Sequence, residues 1–438
     1  MQGKKVVSKY LSQPFFMPFG QVGTAIQSDT GKDEPRIYDI IYKKDRPGGR
    51  RKECIMRIIH TADWHLGKMF YGEYLTAVQR RILEEQFIPL VESYRPHAVV
   101  LAGDVYDRSL PPVEAVEVFS RIATILVKDM GIPFLVIAGN HDSGQRLSFA
   151  GELLEREGLY IAGEPSEMEK PVTLYDEAGP VDFLLMPYAD PAKVRTVFAD
   201  TAVCDHESAL IRLRDERCKH LAPRRRTVAV AHAFLAGGTG SDSERPLAVG
   251  GSEAVGADVF SSFTYTALGH LHGPQQAGSP VVRYSGSLMK YSFGEAGQDK
   301  GVVLVDMDGD GTVRTTFRPL EAKRDVRIIK GYFADIMAAE DGRADDYVLL
   351  RLEDREPILD VMGRGRKKYP HLAALEMPNR QVTETDGRRN GNFRKYSDDE
   401  LFSSFAAAMR PDIPLSDEEC RLASTIWDSI HKEEGDTP

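Results

Sequence analysis

"MRIIHTADWHLGK", residues 56–68, decides the fold. Met56, Ile58 and Ile59 run into His60 and Thr61, an apolar run of the length of one strand. The run stops at a polar turn that carries Asp63 and His65 two residues apart, with Gly67 just beyond. A strand that ends by handing over a carboxylate and an imidazole recurs along the chain. "HAVVLAG" (97–103) leads to Asp104 in "GDVYDRS", and "PFLVIAG" (133–139) leads to Asn140 and His141 in "GNHD". "TVAVAH" (227–232) ends on His232, and "YTALGH" (265–270) ends on His270, with His272 two residues later. Helical patterns lie between. Ile82, Leu83, Phe87, Leu90, Val91 and Tyr94 form one apolar face, and Val116, Phe119, Ala123 and Leu126 form another. Buried strands alternating with amphipathic helices predict an α/β domain.

The strand ends carry the chemistry. In an open parallel sheet the carboxyl ends of the strands face a common crevice, so motifs far apart in sequence meet there. Five of the 11 histidines fall in these motifs. Imidazole, carboxylate and amide oxygen without thiolate suit divalent ions such as Mn²⁺, Fe²⁺ or Zn²⁺. The set is too large for one tetrahedral ion and suits two ions that share a carboxylate. Such a pair clamps the attacking and leaving oxygens of a phosphoryl centre and acidifies water. A lone DxH or GNHD is ordinarily a turn, and a lone histidine at a strand end is ordinarily structural. Their succession, each at a strand end, is the signal.

In that order the motifs resemble the calcineurin-like metallophosphoesterase superfamily. "MRIIHTADWHLGK", "LAGDVYDRSLPP", "AGNHDS" and "RYSGSLMKYSFGE" resemble its bacterial nuclease-subunit branch, which is related to the nuclease of the archaeal and eukaryotic double-strand-break repair complex. The resemblance is close over residues 56–300 and architectural beyond. It implies a metallophosphoesterase sandwich, then a small α+β capping domain and C-terminal helices. It implies that Asp63, His65 and His272 hold one divalent ion and Asn140, His232 and His270 the other, with Asp104 between them and Mn²⁺ as the metal. His141 would assist the leaving oxygen rather than bind metal, with Asp107 orienting it. The branch implies 3′-to-5′ exonuclease action at double-strand DNA ends and endonuclease action at hairpins. It also implies a heterotetramer holding two copies of an ABC-type ATPase with a coiled coil. Arg108 suits a bidentate phosphate contact and a plain surface position equally well.

Bulk properties bound this reading. The 438 residues, 42% hydrophobic, suit a globular protein of two or three domains. No run approaches the roughly 18 apolar residues of a membrane span, and Ser, Gln and Pro break up the N-terminal segment. The expected location is cytoplasmic, at the nucleoid, with no membrane partner. Cys54, Cys204, Cys218 and Cys420 show no CxxC spacing and indicate neither a disulfide framework nor a thiolate zinc site. Net charge is −10, with 11 Lys/Arg against 6 Asp/Glu in residues 1–55 and 45 against 60 in the rest. Such an acidic body does not attract DNA by its bulk field, so metal ions, local basic groups or a partner must.

The domain reading takes residues 1–55 as an extension, disordered or not translated, with a DNA-holding basic arm as the alternative. Residues 56–280 are the nuclease domain and 281–379 a β-rich connection and capping domain. Residues 380–395 are a linker, and 396–438 form C-terminal helices that dock the ATPase. Ser397 with Glu400, and Ser416 with Glu419, have capping-box spacing, and Leu422, Ile426 and Ile430 form a stripe beside Trp427. "DMDGDG" (306–311) reads as a hairpin turn, because the twelfth position of a calcium loop would be Phe317 rather than Glu. "GRGRKK" (363–368) reads as a solvated charge run rather than a DNA contact. Two other functions fit the same motifs. A small-molecule or cyclic-nucleotide phosphodiesterase would need an enclosed pocket, and a non-catalytic DNA-end scaffold would not need every ligand position intact.

Overall fold

The computed structural model describes residues 55–244, 254–379, 402–403, 406 and 415–435. The extension up to Cys54, the linker 380–395 and the Ser397/Glu400 capping box lie outside the described residues. The opening stretch forms β1 (Ile55–Thr61), which lies inside a six-stranded sheet. On one side it pairs in parallel with β4 (Ala98–Ala102), which continues to β5 (Phe134–Ile137) and β6 (Leu159–Ala162). On the other it pairs antiparallel with β13 (Gly301–Asp308), itself flanked by β14 (Val313–Pro319). Between β1 and β4, β2 (Met69–Phe70) and β3 (Glu73–Tyr74) make a small ribbon.

The second six-stranded sheet runs β11 (Gln275–Ala277), β12 (Ser279–Tyr284), β10 (Tyr265–Gly269), β9 (Arg226–His232), β8 (Gly179–Met186) and β7 (Val172–Asp176). Strands β8, β9, β10 and β12 are parallel. The two sheets pack face to face. Met56, Ile58, Val100, Leu135 and Ile137 of the first meet Phe183, Val228, Val230, Tyr265 and Ala267 of the second.

Helices cover both outer faces. Ile59, Val99, Leu101 and Val136 pack against Leu83, Phe87, Phe119 and Ile122 from helical segments between residues 76 and 124. Leu184, Met186, Ala229 and Ala231 pack beneath helices Pro191–Phe198 and His206–Cys218. The four layers explain the sequence pattern. A strand buried on both faces reads as a continuous apolar run rather than an alternating one.

One boundary differs from the sequence reading. Residues 281–319, assigned there to a connection and capping domain, help complete both sheets of the sandwich. Val303, Val305 and Met307 of β13 enter the inter-sheet core, while Val302 and Leu304 face the outer helices. Without β13, β1 would be an exposed edge with nothing to receive its backbone hydrogen bonds. The "DMDGDG" stretch is the β13–β14 turn, closed by Asp308 N donating to Thr312 O at 2.8 Å. The smaller unit begins after it.

That unit has three parallel strands, β15 (Val326–Gly331), β16 (Tyr347–Leu352) and β17 (Leu372–Glu376), around Phe333, Val348, Leu350 and Tyr369. The "GRGRKK" cations serve this fold. Arg364 lies over the Phe333 ring at 4.7 Å, Arg366 Nε donates to Leu372 O at 3.3 Å, and Lys368 Nζ donates to Ile336 O at 2.6 Å. At the C-terminal end, Ser416 N donates to Glu419 Oε2 at 2.8 Å and Glu419 N to Ser416 Oγ at 3.3 Å. This capping box starts helix Asp417–Gly435, on which Leu422 and Ile426 are exposed. Among the described residues no helix is long and apolar enough to cross a membrane.

Met307 separates the two boundary readings. Because it is wholly buried between the sheets, Met307→Ala should lower the unfolding free energy by about 2–5 kcal/mol, the cost of a truncated core residue. Urea denaturation of the full chain measures it, and a loss near zero would return β13 to a peripheral role.

Candidate metal centre

The ends of β1, β4 and β5 in one sheet and of β9 and β10 in the other come together at one edge of the sandwich, and backbone bonds fix their loops. Asp63 N donates to Gly103 O at 3.0 Å, His65 N to Asp104 O at 2.9 Å, and Leu66 N to Val105 O at 2.9 Å. The half-buried Asp142 carboxylate accepts from Val105 N (3.0 Å), Tyr106 N (2.9 Å) and Gly139 N (2.9 Å), tying the "GDVYD" loop to the "GNHD" loop. A bond from His270 N to Asp63 Oδ1 at 2.9 Å crosses from one sheet to the other.

Glycine makes this approach possible. A Cβ on Gly269 would lie 1.8 Å from Ala102 O, and one on Gly103 would lie 2.3 Å from His232 Nδ1. The non-glycine residues carry strain instead. Asp63 (φ 52°), His65 (φ 43°), Asp104 (φ 49°) and His270 (φ 106°) all have positive φ, a conformation costing on the order of 1–3 kcal/mol each and concentrated at functional sites.

Asp63, His65, Asp104, His232, His270 and His272 are all buried. His65 Nε2 lies 3.0 Å from His272 Nε2 and 3.6 Å from Asp104 Oδ2. His232 Nε2 lies 3.0 Å from Asn140 Oδ1 and 3.5 Å from Asp104 Oδ2. Among the described residues, three sets of side chains have ligand atoms near enough to share an ion: Asp63, His65 and His272; Asp63, Asp104 and His232; and His65, Asp107 and His141. Asn140 joins through His232. His270 joins by ring contact, its centroid 5.4 Å from that of His232. Arg108 is exposed.

The hydrogen bonds behind these rings determine what the rings present in front. His232 Nδ1 lies 3.0 Å from the Ala102 carbonyl, which only accepts, so Nδ1 bears a proton. Neutral His232 would then aim an Nε2 lone pair at the Asn140 oxygen, one acceptor facing another. His272 repeats the arrangement. Its Nδ1 donates to the Glu295 carboxylate at 3.1 Å, leaving Nε2 to face His65.

The charges tell the same story. Burial, and then the neighbouring Asp104, push Asp63 well above the usual carboxylate range against the pull of His232. Burial also raises Asp104, but His232 outweighs it and keeps Asp104 ionised. Burial lowers His232, yet Asp104 drives it up to about 9. Burial is the main reason that His65 is lowered and His270 is pushed down to about 3. The site therefore collects lone pairs and negative charge, with a proton on His232 as the counter-charge these groups supply. Divalent cations fit this donor set.

Comparison with known proteins agrees with that geometry. The calcineurin-like phosphoesterase family matches residues 56–274. The family described as type 5 capsule protein repressor C-terminal domain matches residues 322–410. The SbcD subunit of the SbcCD nuclease from Staphylococcus saprophyticus is 34% identical over 352 residues, covering 80% of this chain and 92% of the relative. Its counterpart from Staphylococcus epidermidis is 33% identical over 322 residues, covering 73% and 85%. The chain belongs to the SbcD nuclease-subunit family of calcineurin-like phosphoesterases. It is accordingly a metal-dependent phosphodiesterase of the nuclease type.

Within this SbcD-family site, Asp107 stands differently from expectation. The His141 ring is held by the Asp107 backbone, its Nδ1 donating to the carbonyl at 2.8 Å. The Asp107 carboxylate instead accepts from Lys68 Nζ at 2.8 Å. A carbonyl makes this bond whatever the side chain, so residue type at 107 could not reveal it. Sequence reasoning also missed the groups behind the ligands. Gln79 Nε2 donates to the carbonyls of Trp64 and His65, both at 2.9 Å, and to Tyr291 Oη at 3.0 Å. Glu244 Oε1 accepts from His272 N at 2.9 Å. Glu295 is wholly buried; burial raises its carboxyl, but the bond from His272 and the charge of Lys300 outweigh it and hold it far below the carboxylate range. The available signal was a lone Glu in the apolar, glycine-containing "YSFGEAG" segment.

Two substitutions follow from these contacts. Asp107→Asn keeps the carbonyl that holds His141, so turnover should fall by less than about tenfold, below the roughly 10²–10⁴ loss of a missing acid–base group. Gly269→Ala has no room for its Cβ beside Ala102 O and should lose bound metal as well as activity. Steady-state kinetics and metal analysis of the purified variants check both; full metal content in Gly269→Ala would show that the sheets need not approach so closely.

Proposed function

We propose that this chain is the nuclease subunit of a two-metal DNA nuclease that degrades double-strand ends 3′ to 5′ and opens hairpins, together with an SbcC-type ABC ATPase. The observation that carries the reading is the convergence of lone pairs and carboxylates at one buried site, where His232 and His272 have their rear nitrogens committed as donors. Asp63, His65 and His272 would hold one ion and Asn140, His232 and His270 the other, with Asp104 shared. Mn²⁺ is the ion the family resemblance implies, and it is among the divalent ions that an imidazole, carboxylate and amide set suits. When bound, such a pair supplies Lewis acidity toward the phosphodiester and acidifies water.

The chain's own residues supply positioning and proton transfer. His141 donates from Nδ1 to the Asp107 carbonyl, so the proton given to the departing oxygen is the second one, which the cationic ring carries on Nε2. Lys68, paired with Asp107 at 2.8 Å, and the exposed Arg108 place positive charge near that ring for a phosphate. The relatives are named as one subunit of the SbcCD nuclease, which supports the ATPase partner. Leu422 (63% exposed) and Ile426 (47% exposed) on the capped C-terminal helix support a coiled-coil dock there. A heterotetramer with two copies of each subunit, acting at the nucleoid in the cytoplasm, completes the reading. A partner also answers the charge of −10, because an acidic protein needs help to hold DNA.

Activity with Mn²⁺ on linear duplex DNA, set beside activity on bis-p-nitrophenyl phosphate, tests the proposal. Chelation should abolish both and Mn²⁺ restore both, and Asp104→Ala should eliminate both. His141→Ala should lower turnover by roughly 10²–10⁴ while keeping both ions. Loss of an ion in the His141 variant would make that residue a ligand and break the assignment. Hydrolysis of the small ester without any cleavage of DNA, even with the ATPase present, would favour a small-molecule phosphodiesterase.

A further inference from the structure

The segment between β12 and β13 passes behind the metal centre and supports it at two points. Tyr291 Oη donates to the Trp64 carbonyl and receives a bond from Gln79 Nε2 at 3.0 Å; Gln79 also holds the His65 carbonyl at 2.9 Å. Four residues on, Glu295 reaches His272. Its Oε1 lies 3.1 Å from His272 Nδ1 and 3.1 Å from Ser241 Oγ, and it also accepts from Ser243 Oγ. Its Oε2 accepts from Tyr291 N at 3.0 Å and pairs with Lys300 Nζ at 2.6 Å. Lys300 Nζ in turn donates to the His272 carbonyl at 2.7 Å. Glu295 and Lys300 are both buried. A buried ion pair is costly unless it is fully bonded, and each member of this one bonds to His272, the residue that carries a candidate ligand.

We propose that Glu295 is a positioning residue for His272, with Lys300 as its fixed counter-charge, and that the pair locks the imidazole in the tautomer that presents Nε2 to the cation. The inference rests on the two-metal reading and goes beyond it. A neutral imidazole has one N–H. A carboxylate at Nδ1 decides where that proton sits, fixes the ring plane and raises the basicity of Nε2. Ser243 Oγ lies 2.6 Å from the same Nδ1, but a hydroxyl can turn either its proton or a lone pair to a ring nitrogen, and here it accepts only because its one proton goes to Glu295. The carboxylate sets the tautomer. Lys300 sets its positive charge beside that carboxylate without competing for Nδ1, because it approaches the other oxygen.

Two measurements on the full chain test this. The first is ¹⁵N NMR of the histidine rings in the metal-free protein, with His272 assigned as the signal missing from His272→Gln. The wild type should show a single Nδ1–H tautomer at His272, and Glu295→Gln should show a mixture. The second is Mn²⁺ titration calorimetry. Glu295→Gln should weaken one of the two sites about 10- to 100-fold, the usual cost of a lost partner behind a ligand, and leave the other within twofold. Because Glu295→Gln leaves Lys300 buried without its partner, the double variant Glu295→Gln/Lys300→Met removes both charges at similar volume and should give the same results. Ser243→Ala should leave the tautomer unchanged. An unchanged His272 tautomer in both glutamate variants, or a mixture in Ser243→Ala alone, overturns the proposal. A wild-type chain that binds no Mn²⁺ while keeping the locked tautomer would sink the two-metal reading instead.

Discussion

The rest of the structure depends on how closely two backbones approach. At the carboxyl ends of the strands the sheets come so near that a Cβ on Gly269 would lie 1.8 Å from the Ala102 carbonyl oxygen. That same carbonyl accepts from His232 Nδ1 at 3.0 Å, so one atom of the first sheet orients a ring of the second. The Asp63 carboxylate accepts from His270 N across the same gap. A wider gap would break these bonds together and move the rings away from the carboxylates they face. Sandwich cores pack about 10 Å apart; the glycines let the strand ends close below that distance without steric cost.

Closure creates an electrostatic problem and disposes of it. Asp63 and Asp104 are buried together, and only one of them stays comfortably ionised while His232 bears a proton. Cations bound by these residues would remove the conflict: both carboxylates would keep their charge, and His232 would give up its Nε2 proton, the usual coupling of metal binding to proton loss. The strained φ angles at Asp63, His65, Asp104 and His270 belong to the same account, since they aim donors at a point where no regular strand would leave them.

Much of this was legible in the sequence, for a physical reason. Strands buried on both faces are uninterrupted apolar runs, so β1, β4, β5, β9 and β10 stand out, and the polar residue that ends each run is where the backbone leaves the core. The order of these ends pointed to a shared crevice without any knowledge of sheet order. What the sequence hid was pairing. "GVVLVDMD" has the same two-faced apolar pattern as β1, but nothing local says that β13 lies beside a strand more than 240 residues earlier. Backbone-mediated roles were hidden too, as with the Asp107 carbonyl behind His141. The Glu295 carboxylate carries no periodic signal, and within the largely exposed "GRGRKK" run nothing in the sequence marks the carbonyl partners of Arg366 and Lys368.

The candidate ligands are divided between the halves of the sandwich. Asp63, His65, Asp104 and Asn140 follow strands of one sheet, and His232, His270 and His272 follow strands of the other. An ion bound between them would be a cross-link joining the two sheets, present only while both are in register. By mass action, a site that exists in the folded chain and not in the unfolded one adds RT ln(1 + [L]/Kd) to stability, about 2.7 kcal/mol at a hundredfold excess over Kd. Affinity for the ion and cohesion of the sandwich thus become one thermodynamic quantity read in two ways. A substitution deep in the inter-sheet core, remote from any ligand, would register as a change in metal affinity, and the concentration of the ion in the cell would set how firmly the two sheets hold together.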